Sequence, residues 1–224
     1  MRGVHYSIQD WPQVPAELDW LTSAERERLD GFRFEKRRRD WLSGRWAAKL
    51  ALLEISGMSR EEIGRFEIAS AADGAPLPKL DGGNCDVRLS LSHSNGRAFC
   101  AVSSAATLLG CDIELVESRS AGFVETYFTD AESERVERAD PGSRDLLVTM
   151  IWSAKESTLK ALRTGLRADT RSVEVIDESD GSGVGWTTVR TLASAAGEFS
   201  GLWRREGRFV QSIVARATQP RRLF

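Results

Sequence analysis

The spacing of apolar residues predicts two long helices, one in each half of the chain. The first covers about residues 34–53, where apolar side chains recur at steps of four, four and three, at Leu42, Trp46, Leu50 and Leu53. The second covers about residues 143–163 and is broken near Gly165. Further helix starts are indicated by capping boxes, in which Thr or Ser precedes Glu by three residues, at Thr22 to Glu25, Ser59 to Glu62 and Thr129 to Glu132.

Alternating apolar and polar residues predict strands between and after these helices. The strands cover residues 65–69, 87–92, 97–103, 107–115, 171–177, 185–192, 198–204 and 208–216. The last two are expected to pair as a hairpin around Glu206-Gly207, whereas the stretch with Pro76 and Pro78 is expected to be a loop. This order of elements predicts an α+β chain with two comparable halves, residues 1–106 and 107–224, and no direct sequence repeat is evident between them.

Charge is distributed unevenly, although the formal net charge of the 224 residues is only −2. Residues 32–49 hold seven basic and two acidic side chains, whereas residues 112–140 hold nine acidic and three basic ones. A nearly neutral chain with one basic helix is a poor general nucleic-acid binder. The basic helix is better suited to a small polyanion.

The remaining composition indicates a cytoplasmic protein with no membrane partner. No apolar run approaches the roughly 20 residues needed to span a bilayer. The first residues, MRGVHYSIQDW, lack the apolar core of a signal peptide. The three cysteines do not form a disulfide framework, which fits a reducing compartment.

The segment LLGCDIEL, residues 108–115, is the first candidate for chemistry. Its alternation puts Asp112 and Glu114 on one face of a strand, together with Gly110. Neighbouring carboxylates repel each other unless a cation or solvent screens them. By itself, however, the pattern is what any half-buried strand with an exposed polar face shows, and for these two acids alone that interpretation is favoured.

Two further sets of polar residues indicate a function only when they are considered together with these carboxylates. Glu156 and Lys160 are four residues apart on the predicted second helix and share a face, as an ordinary surface ion pair would. His93 lies at a strand end before the Asn95-Gly96 turn, where it could donate to a phosphate or be hydrogen-bonded within the turn. A Ser–His nucleophile is disfavoured because the chain has no G-x-S-x-G motif.

Taken together, the order and spacing of these segments resemble the Sfp-type 4′-phosphopantetheinyl transferases. LSHS, residues 91–94, resembles the S-H-S motif of that family, and GCDIE, residues 110–114, resembles its G-x-D-x-E motif. WSAKESTLK, residues 152–160, is similar to W-[ST]-x-K-E-[AS]-x-x-K at every fixed position. The basic helix also resembles the N-terminal region of the family, so that the resemblance covers about residues 35–165.

The resemblance implies an enzyme that transfers the 4′-phosphopantetheine group of coenzyme A to a serine of an apo acyl or peptidyl carrier protein and releases adenosine 3′,5′-bisphosphate. It implies two similar α/β subdomains related by a pseudo-twofold axis, with a ligand cleft between them. The implied ligands of one Mg²⁺ ion, or alternatively Mn²⁺, are Asp112, Glu114 and Glu156. The implied coenzyme-binding residues are Arg37, Arg45, Ser92, His93, Lys155 and Lys160.

The implied chemistry gives separate tasks to these groups. Glu156 or a metal-bound water would take the proton of the carrier serine, Lys160 would stabilise the departing phosphate, and Asp112 would hold the metal. A ligand set of oxygens alone favours magnesium over zinc. Near Gly74 the basic residue common in the family is missing, and Lys79 could substitute for it.

Several alternatives stay open at this point. Glu132 could support catalysis or serve only its capping box, and the aromatic side chains Phe123, Tyr127 and Phe128 could contact the carrier or pack in the core. A magnesium-dependent nucleotide phosphohydrolase would use the same carboxylates, and a coenzyme A-binding protein without catalysis would use the same basic groups. The presence of all motif carboxylates and lysines disfavours the last reading. A monomer is expected.

Overall fold

The computed structural model describes residues 3–178 and 185–217, which form two compact units, residues 3–107 and 108–217. Each unit contains helices and antiparallel strand pairs, which confirms the α+β class predicted from the sequence. No helix in the described ranges combines the length and the apolar character that a membrane crossing requires.

The N-terminal unit, residues 3–107, packs one long helix against a small sheet. Its helices are α1 (Ser23–Asp30) and α2 (Glu35–Ser56), and its strands are β1 (His5–Asp10), β2 (Phe66–Ser70), β3 (Pro76–Leu80), β4 (Gly83–Asn84), β5 (Val87–Ser94) and β6 (Arg97–Ser104). The strand order is β1-β6-β5 in one sheet and β2-β3-β4 in another. Helix α2 lies on the first sheet and buries most of the predicted apolar stripe along with Ala47, Ala48 and Ala51, whereas Leu50 is only partly buried.

The C-terminal unit, residues 108–217, uses the same kind of arrangement with a wider sheet. Its helices are α3 (Ala121–Tyr127), α4 (Asp130–Arg138) and α5 (Pro141–Ala161), and its strands are β7 (Thr107–Leu115), β8 (Val173–Glu178), β9 (Thr187–Ala193), β10 (Gly197–Glu206) and β11 (Phe209–Ala217). The strand order is β7-β11-β10-β9-β8. Strands β10 and β11 pair antiparallel, with Glu206 opposite Phe209, which confirms the predicted terminal hairpin.

One stretch predicted as a loop is a strand. Pro76 and Pro78 belong to β3, which pairs antiparallel with β2. Proline has no backbone N–H to donate, so it normally excludes an interior strand. Here β4 pairs with Lys79 and Leu80, and the backbone N–H of Cys85 donates to the carbonyl oxygen of Pro78, so on this side the proline accepts a hydrogen bond and no donor is required of it. The expectation of a plain loop was therefore wrong.

Helix α5 meets its sheet through hydrogen bonds as well as apolar packing. The hydroxyl of Ser212 on β11 lies 2.8 Å from that of Ser153 and 2.7 Å from that of Ser157. The hydroxyls of Thr158 and Thr191, the latter on β9, are 2.8 Å apart. All these side chains are buried. Because such contacts need matched donors and acceptors, they fix the position of α5 on the sheet more sharply than apolar packing alone would.

Each of the two units contains its own buried glutamate–lysine pair, which was not predicted from the sequence. Glu25 pairs with Lys49 of α2 at 2.6 Å, and Glu132 pairs with Lys155 of α5 at 2.5 Å. Both glutamates belong to the predicted capping boxes, which the structure confirms. The matching sequence signal is a short repeat in two parts: TSAE recurs as TDAE, at residues 22–25 and 129–132, and WAAK recurs as WSAK, at residues 46–49 and 152–155. The impression that no repeat exists is thereby corrected.

Candidate functional site

The site in the C-terminal unit depends on the close approach of β7 to α5, which a glycine permits. A Cβ atom placed on Gly110 would lie 1.7 Å from the carbonyl oxygen of Ser157 and 2.8 Å from the backbone nitrogen of Ala161. No side chain therefore fits between strand and helix at this point. Because side chains alternate along a strand, Asp112 and Glu114 follow Gly110 on the face that meets the helix.

Asp112 and Lys160 form the best-defined contact of the site. The Nζ atom of Lys160 donates to Oδ1 of Asp112 at 2.7 Å. Asp112 is only 2% exposed, which overturns the expectation that these acids lie on a solvated strand face. Burial is the largest single effect and lowers the pKa of Lys160, but the charge of Asp112, the hydrogen bond to it and smaller contributions from neighbouring acidic groups together outweigh burial, so the net shift is upward. Lys160 is therefore held as an ammonium group next to the aspartate.

Glu114 occupies the next position on the same strand face. Burial, followed by repulsion from Asp112, raises its pKa to about 7. The opposing interactions come from Arg119, whose Nη2 is 3.6 Å from Oε2 of Glu114, from Lys160, and from the side chain of Trp152, which donates a hydrogen bond. Near neutral pH this carboxyl group is thus poised between its two protonation states.

Glu156 lies on α5, one turn before Lys160. Its Oε1 atom is buried and accepts no hydrogen bond from any residue in the described ranges. Burial raises the pKa of Glu156; the charge of Lys160 opposes this shift and the charge of Asp112 adds to it. A buried carboxylate oxygen without a donor is costly, so a cation or a substrate donor would stabilise it.

The donor set fits a divalent cation in its chemistry but not in its present geometry. Asp112, Glu114 and Glu156 offer oxygens alone, as magnesium prefers, and the free Oε1 of Glu156 and the raised pKa of Glu114 both indicate uncompensated negative charge. Nevertheless, within residues 3–178 and 185–217, no three His, Cys, Asp or Glu side chains converge closely enough to hold a metal ion. The ammonium of Lys160 neutralises Asp112 in this arrangement.

Lys155 does not lie where the sequence analysis expected a phosphate-binding lysine. Its side chain is fully buried and donates to Oε2 of Glu132 and to the carbonyl oxygen of Val173, both at 2.5 Å. Burial lowers the pKa of Lys155, and the charge of Glu132 opposes this effect. The placement favours a structural role for Lys155, because no phosphate can reach its ammonium group in this conformation.

The arginines expected to grip the coenzyme lie in the N-terminal unit. Arg37 is exposed on α2. The guanidinium of Arg45 stacks 4.4 Å from the ring centroid of Trp41 and donates to the carbonyl oxygen of Ile68 at 3.4 Å. Burial lowers the pKa of Arg45 to about 10, with an opposing contribution from Glu25. Arg37 is therefore free to meet an anion, whereas Arg45 is already engaged by its own unit.

Ser92 and His93 lie at the end of β5, as predicted. His93 is exposed and Ser92 is buried, in keeping with the alternation of a strand. The turn that follows has positive φ at both Asn95 and Gly96, the geometry of a tight hairpin turn. Lys79 lies on β3, with Nζ 3.6 Å from Oε1 of Glu67, so the proposed substitute base already has an acidic neighbour.

The aromatic residues of α3, and the one directly after it, pack within the C-terminal unit. Phe128 is buried, and the rings of Phe123 and Tyr127 lie 5.0 and 5.2 Å from the ring of Trp152. Trp152 in turn donates to Glu114. These contacts favour the core-packing alternative and identify Trp152 as a neighbour of the site.

Part of the chain matches a known protein family. Residues 108–196 match the family model described as the 4′-phosphopantetheinyl transferase superfamily. The matched residues contain both GCDIE and WSAKESTLK, and the match confirms the resemblance at the level of the superfamily. No curated protein matches the chain.

Solved structures of holo-(acyl-carrier-protein) synthases resemble parts of the chain. One from Bacillus anthracis, in complex with CoA (3′,5′-ADP), is 26% identical over 46% of this chain and 94% of its own, with a TM-score of 0.39. One from Thermotoga maritima is 19% identical over 57% of this chain and 74% of its own, with a TM-score of 0.37.

Proposed function

Residues 108–196 carry the matched region of the 4′-phosphopantetheinyl transferase superfamily, and on that premise we propose that the protein is an Sfp-type member of it. It transfers the 4′-phosphopantetheine group of coenzyme A to a serine of an apo acyl or peptidyl carrier protein. The observation that carries this proposal is the cluster of Asp112, Glu114, Glu156 and Lys160 on facing surfaces of β7 and α5.

In this reaction the hydroxyl oxygen of the carrier serine attacks the phosphorus that bears the pantetheine arm. The bond from that phosphorus to the bridging oxygen breaks, and adenosine 3′,5′-bisphosphate leaves with the oxygen. Glu156 takes the serine proton, which suits a carboxylate whose pKa is raised by burial. Lys160, kept charged by Asp112, donates to the phosphate oxygens on which negative charge develops.

Asp112, Glu114 and Glu156 would hold the Mg²⁺ ion that such a reaction uses. A bound divalent cation supplies positive charge that polarises the phosphoryl group and screens the diphosphate. It would also relieve the repulsion between Asp112 and Glu114. Arg37, Arg45, Ser92 and His93 are proposed to bind the coenzyme. Lys155, given its burial, is proposed only to support α5.

The decisive experiment incubates the protein with coenzyme A, Mg²⁺ and an apo carrier protein and measures the mass of the carrier. A gain of one 4′-phosphopantetheine group is expected, and a carrier whose acceptor serine is replaced by alanine should gain nothing. Consumption of coenzyme A without a mass gain on any carrier would instead support hydrolysis. Binding without turnover would support the non-catalytic alternative.

Variants of the cluster connect this activity to the site. Asp112→Asn and Glu156→Gln should abolish transfer while the protein stays folded, because both replacements keep the size and shape of the side chain but remove its negative charge. Glu137→Gln is the matched control, since Glu137 is an exposed carboxylate on α4 in the same unit. Full activity of a folded Asp112→Asn protein would remove the site from the mechanism.

A further inference from the structure

Glu132 joins three elements of the C-terminal unit through one buried carboxylate. Its side chain is fully buried. Oε2 accepts hydrogen bonds from the backbone nitrogen of Thr129 at 2.9 Å and from Nζ of Lys155 at 2.5 Å. Oε1 accepts from the backbone nitrogen of Val175 at 2.8 Å. The start of α4, the middle of α5 and strand β8 therefore meet at this group.

Lys155 connects Glu132 to helix α5. Besides Glu132, its ammonium binds the carbonyl oxygen of Val173 at the start of β8. At the opposite edge of the same sheet, Lys160 binds Asp112 on β7. Helix α5 is thus anchored at both outer strands of its sheet, with the Ser212 and Thr191 contacts between them.

The position of Lys155 determines the direction of the residues that follow it. Successive residues of an α-helix differ by about 100° around the axis. If Lys155 is fixed toward β8, Glu156 and Lys160, which share one face, are fixed on a different side of the helix. A rotation or slide of α5 would move both of these groups away from Asp112 together.

We propose that Glu132 is a positioning residue for the transferase site: through Lys155 it sets the orientation of α5 that presents Glu156 and Lys160 to Asp112. This inference rests on the proposed function, because Glu156 and Lys160 have their assigned tasks only there. Glu132 does not touch substrate in this scheme.

The N-terminal unit offers a matched control within the same chain. Glu25 accepts from the backbone nitrogens of Thr22 and Ile68 and from Lys49, as Glu132 does from their counterparts. The residues that follow Lys49 at the positions of Glu156 and Lys160 are Leu50 and Glu54, so this pair supports no carboxylate cluster of the same kind. A purely structural role predicts equal consequences for losing either pair.

The test compares Glu132→Gln with Glu25→Gln in three measurements: thermal unfolding, Mn²⁺ binding by calorimetry without coenzyme or carrier, and kcat at saturating substrates. Both variants are expected to lower the melting temperature. Only Glu132→Gln should weaken Mn²⁺ binding, by about 10-fold or more, as outer-shell changes typically do. It should also lower kcat by about 100-fold, the effect of a roughly 1 Å misplacement, with little change in KM.

Equal losses of melting temperature with unchanged Mn²⁺ affinity and unchanged kcat in Glu132→Gln would overturn the proposal. If Glu132→Gln does not fold, Glu132→Asp replaces it: the charge stays but the shorter side chain cannot reach Thr129, Val175 and Lys155 together, and the same loss of Mn²⁺ affinity is expected. Wild-type protein that binds Mn²⁺ without transferring refutes the function but still tests the positioning. Wild-type protein that does neither overturns both.

Discussion

Replacing Gly110 by alanine is the most direct test of how strand and helix build the site. The new Cβ would lie 1.7 Å from the carbonyl oxygen of Ser157. A carbon and a carbonyl oxygen normally come no closer than about 3.3 Å, so α5 would have to retreat from β7 by about 1.5 Å. Neither side can yield cheaply, because both are backbone in regular secondary structure.

The expected losses of stability and of activity follow from that displacement. Overpacking a well-packed interior usually costs about 1–3 kcal/mol, and a clash between two backbones belongs at the upper end of that range. For a chain of this size, about 3 kcal/mol lowers the melting temperature by roughly 6–12 °C. The 2.7 Å contact between Lys160 and Asp112 would be lost in the same movement. Transfer should therefore fall by about 100-fold or more in protein that is still folded.

Thermal unfolding followed by circular dichroism measures the loss of melting temperature, and the carrier mass assay, run below the unfolding transition, measures the loss of transfer. Gly142→Ala is the control, since Gly142 lies in α5 with nothing within 4 Å of its Cβ position. It should be neutral or stabilise by about 0.5–1 kcal/mol through helix propensity. A Gly110→Ala protein with wild-type melting temperature and wild-type transfer would refute the close approach of β7 and α5.

Two further substitutions probe the site electrostatics and the polar helix–sheet contact. The pKa of Glu114 is raised to about 7 in the folded state, above its unfolded value of 4.5. The free energy of unfolding therefore falls as pH rises from about 4.5 through 7, because the unfolded state gives up this proton more readily. In metal-free protein, Glu114→Gln should raise the free energy of unfolding by up to about 3 kcal/mol at pH 8 and by almost nothing at pH 4.5, as measured by urea unfolding. An equal gain at both pH values would contradict the raised pKa of Glu114. Ser212→Ala removes the hydroxyl shared by Ser153 and Ser157 and should cost about 1–3 kcal/mol in the same assay, whereas the exposed Ser200→Ala should cost little; equal effects of the two would contradict the buried network.

Local patterns predicted most of the fold because most elements are defined by local chemistry. The helix expected over 34–53 is α2, and the one expected over 143–163 is α5. Besides the proline-bearing strand β3, the sequence did not predict a strand that is defined by a distant partner. His5–Asp10 lacks a strong alternation and becomes a strand by pairing with β6, with His5 opposite Val102, almost a hundred residues away. Such pairing leaves little trace in the short segment itself.

The candidate site could be predicted only in part. Strand alternation correctly put Asp112 and Glu114 on one face, since a side-chain period of two needs no tertiary knowledge. It could not show that this face is buried by α5, that Lys160 neutralises Asp112, or that Lys155 points away from the site. These facts depend on the rotation of a helix that is apolar on more than one side, and sequence periodicity does not determine that rotation.

The two units have the same scaffold but differ in the residues at the positions of the candidate site. In the N-terminal unit His5 of β1 lies 3.9 Å from Glu54 near the end of α2, at the sequence positions that correspond to Asp112 and Lys160. The first strand and the long helix therefore make a polar contact in both units, but with acid and base exchanged. Leu50 takes the place of Glu156.

These differences explain why a metal-binding carboxylate cluster is expected in the C-terminal unit and not at the corresponding positions of the N-terminal unit. A buried Glu–Lys pair can orient either long helix, because it needs only a capping box and a lysine one helix later. Concentrated negative charge, in contrast, requires carboxylates on both the strand and the helix, and among these corresponding positions only the C-terminal unit has them. At these corresponding positions the repeated scaffold thus carries one carboxylate cluster, the one proposed to be reactive, and the family match over residues 108–196 falls on the unit that contains it.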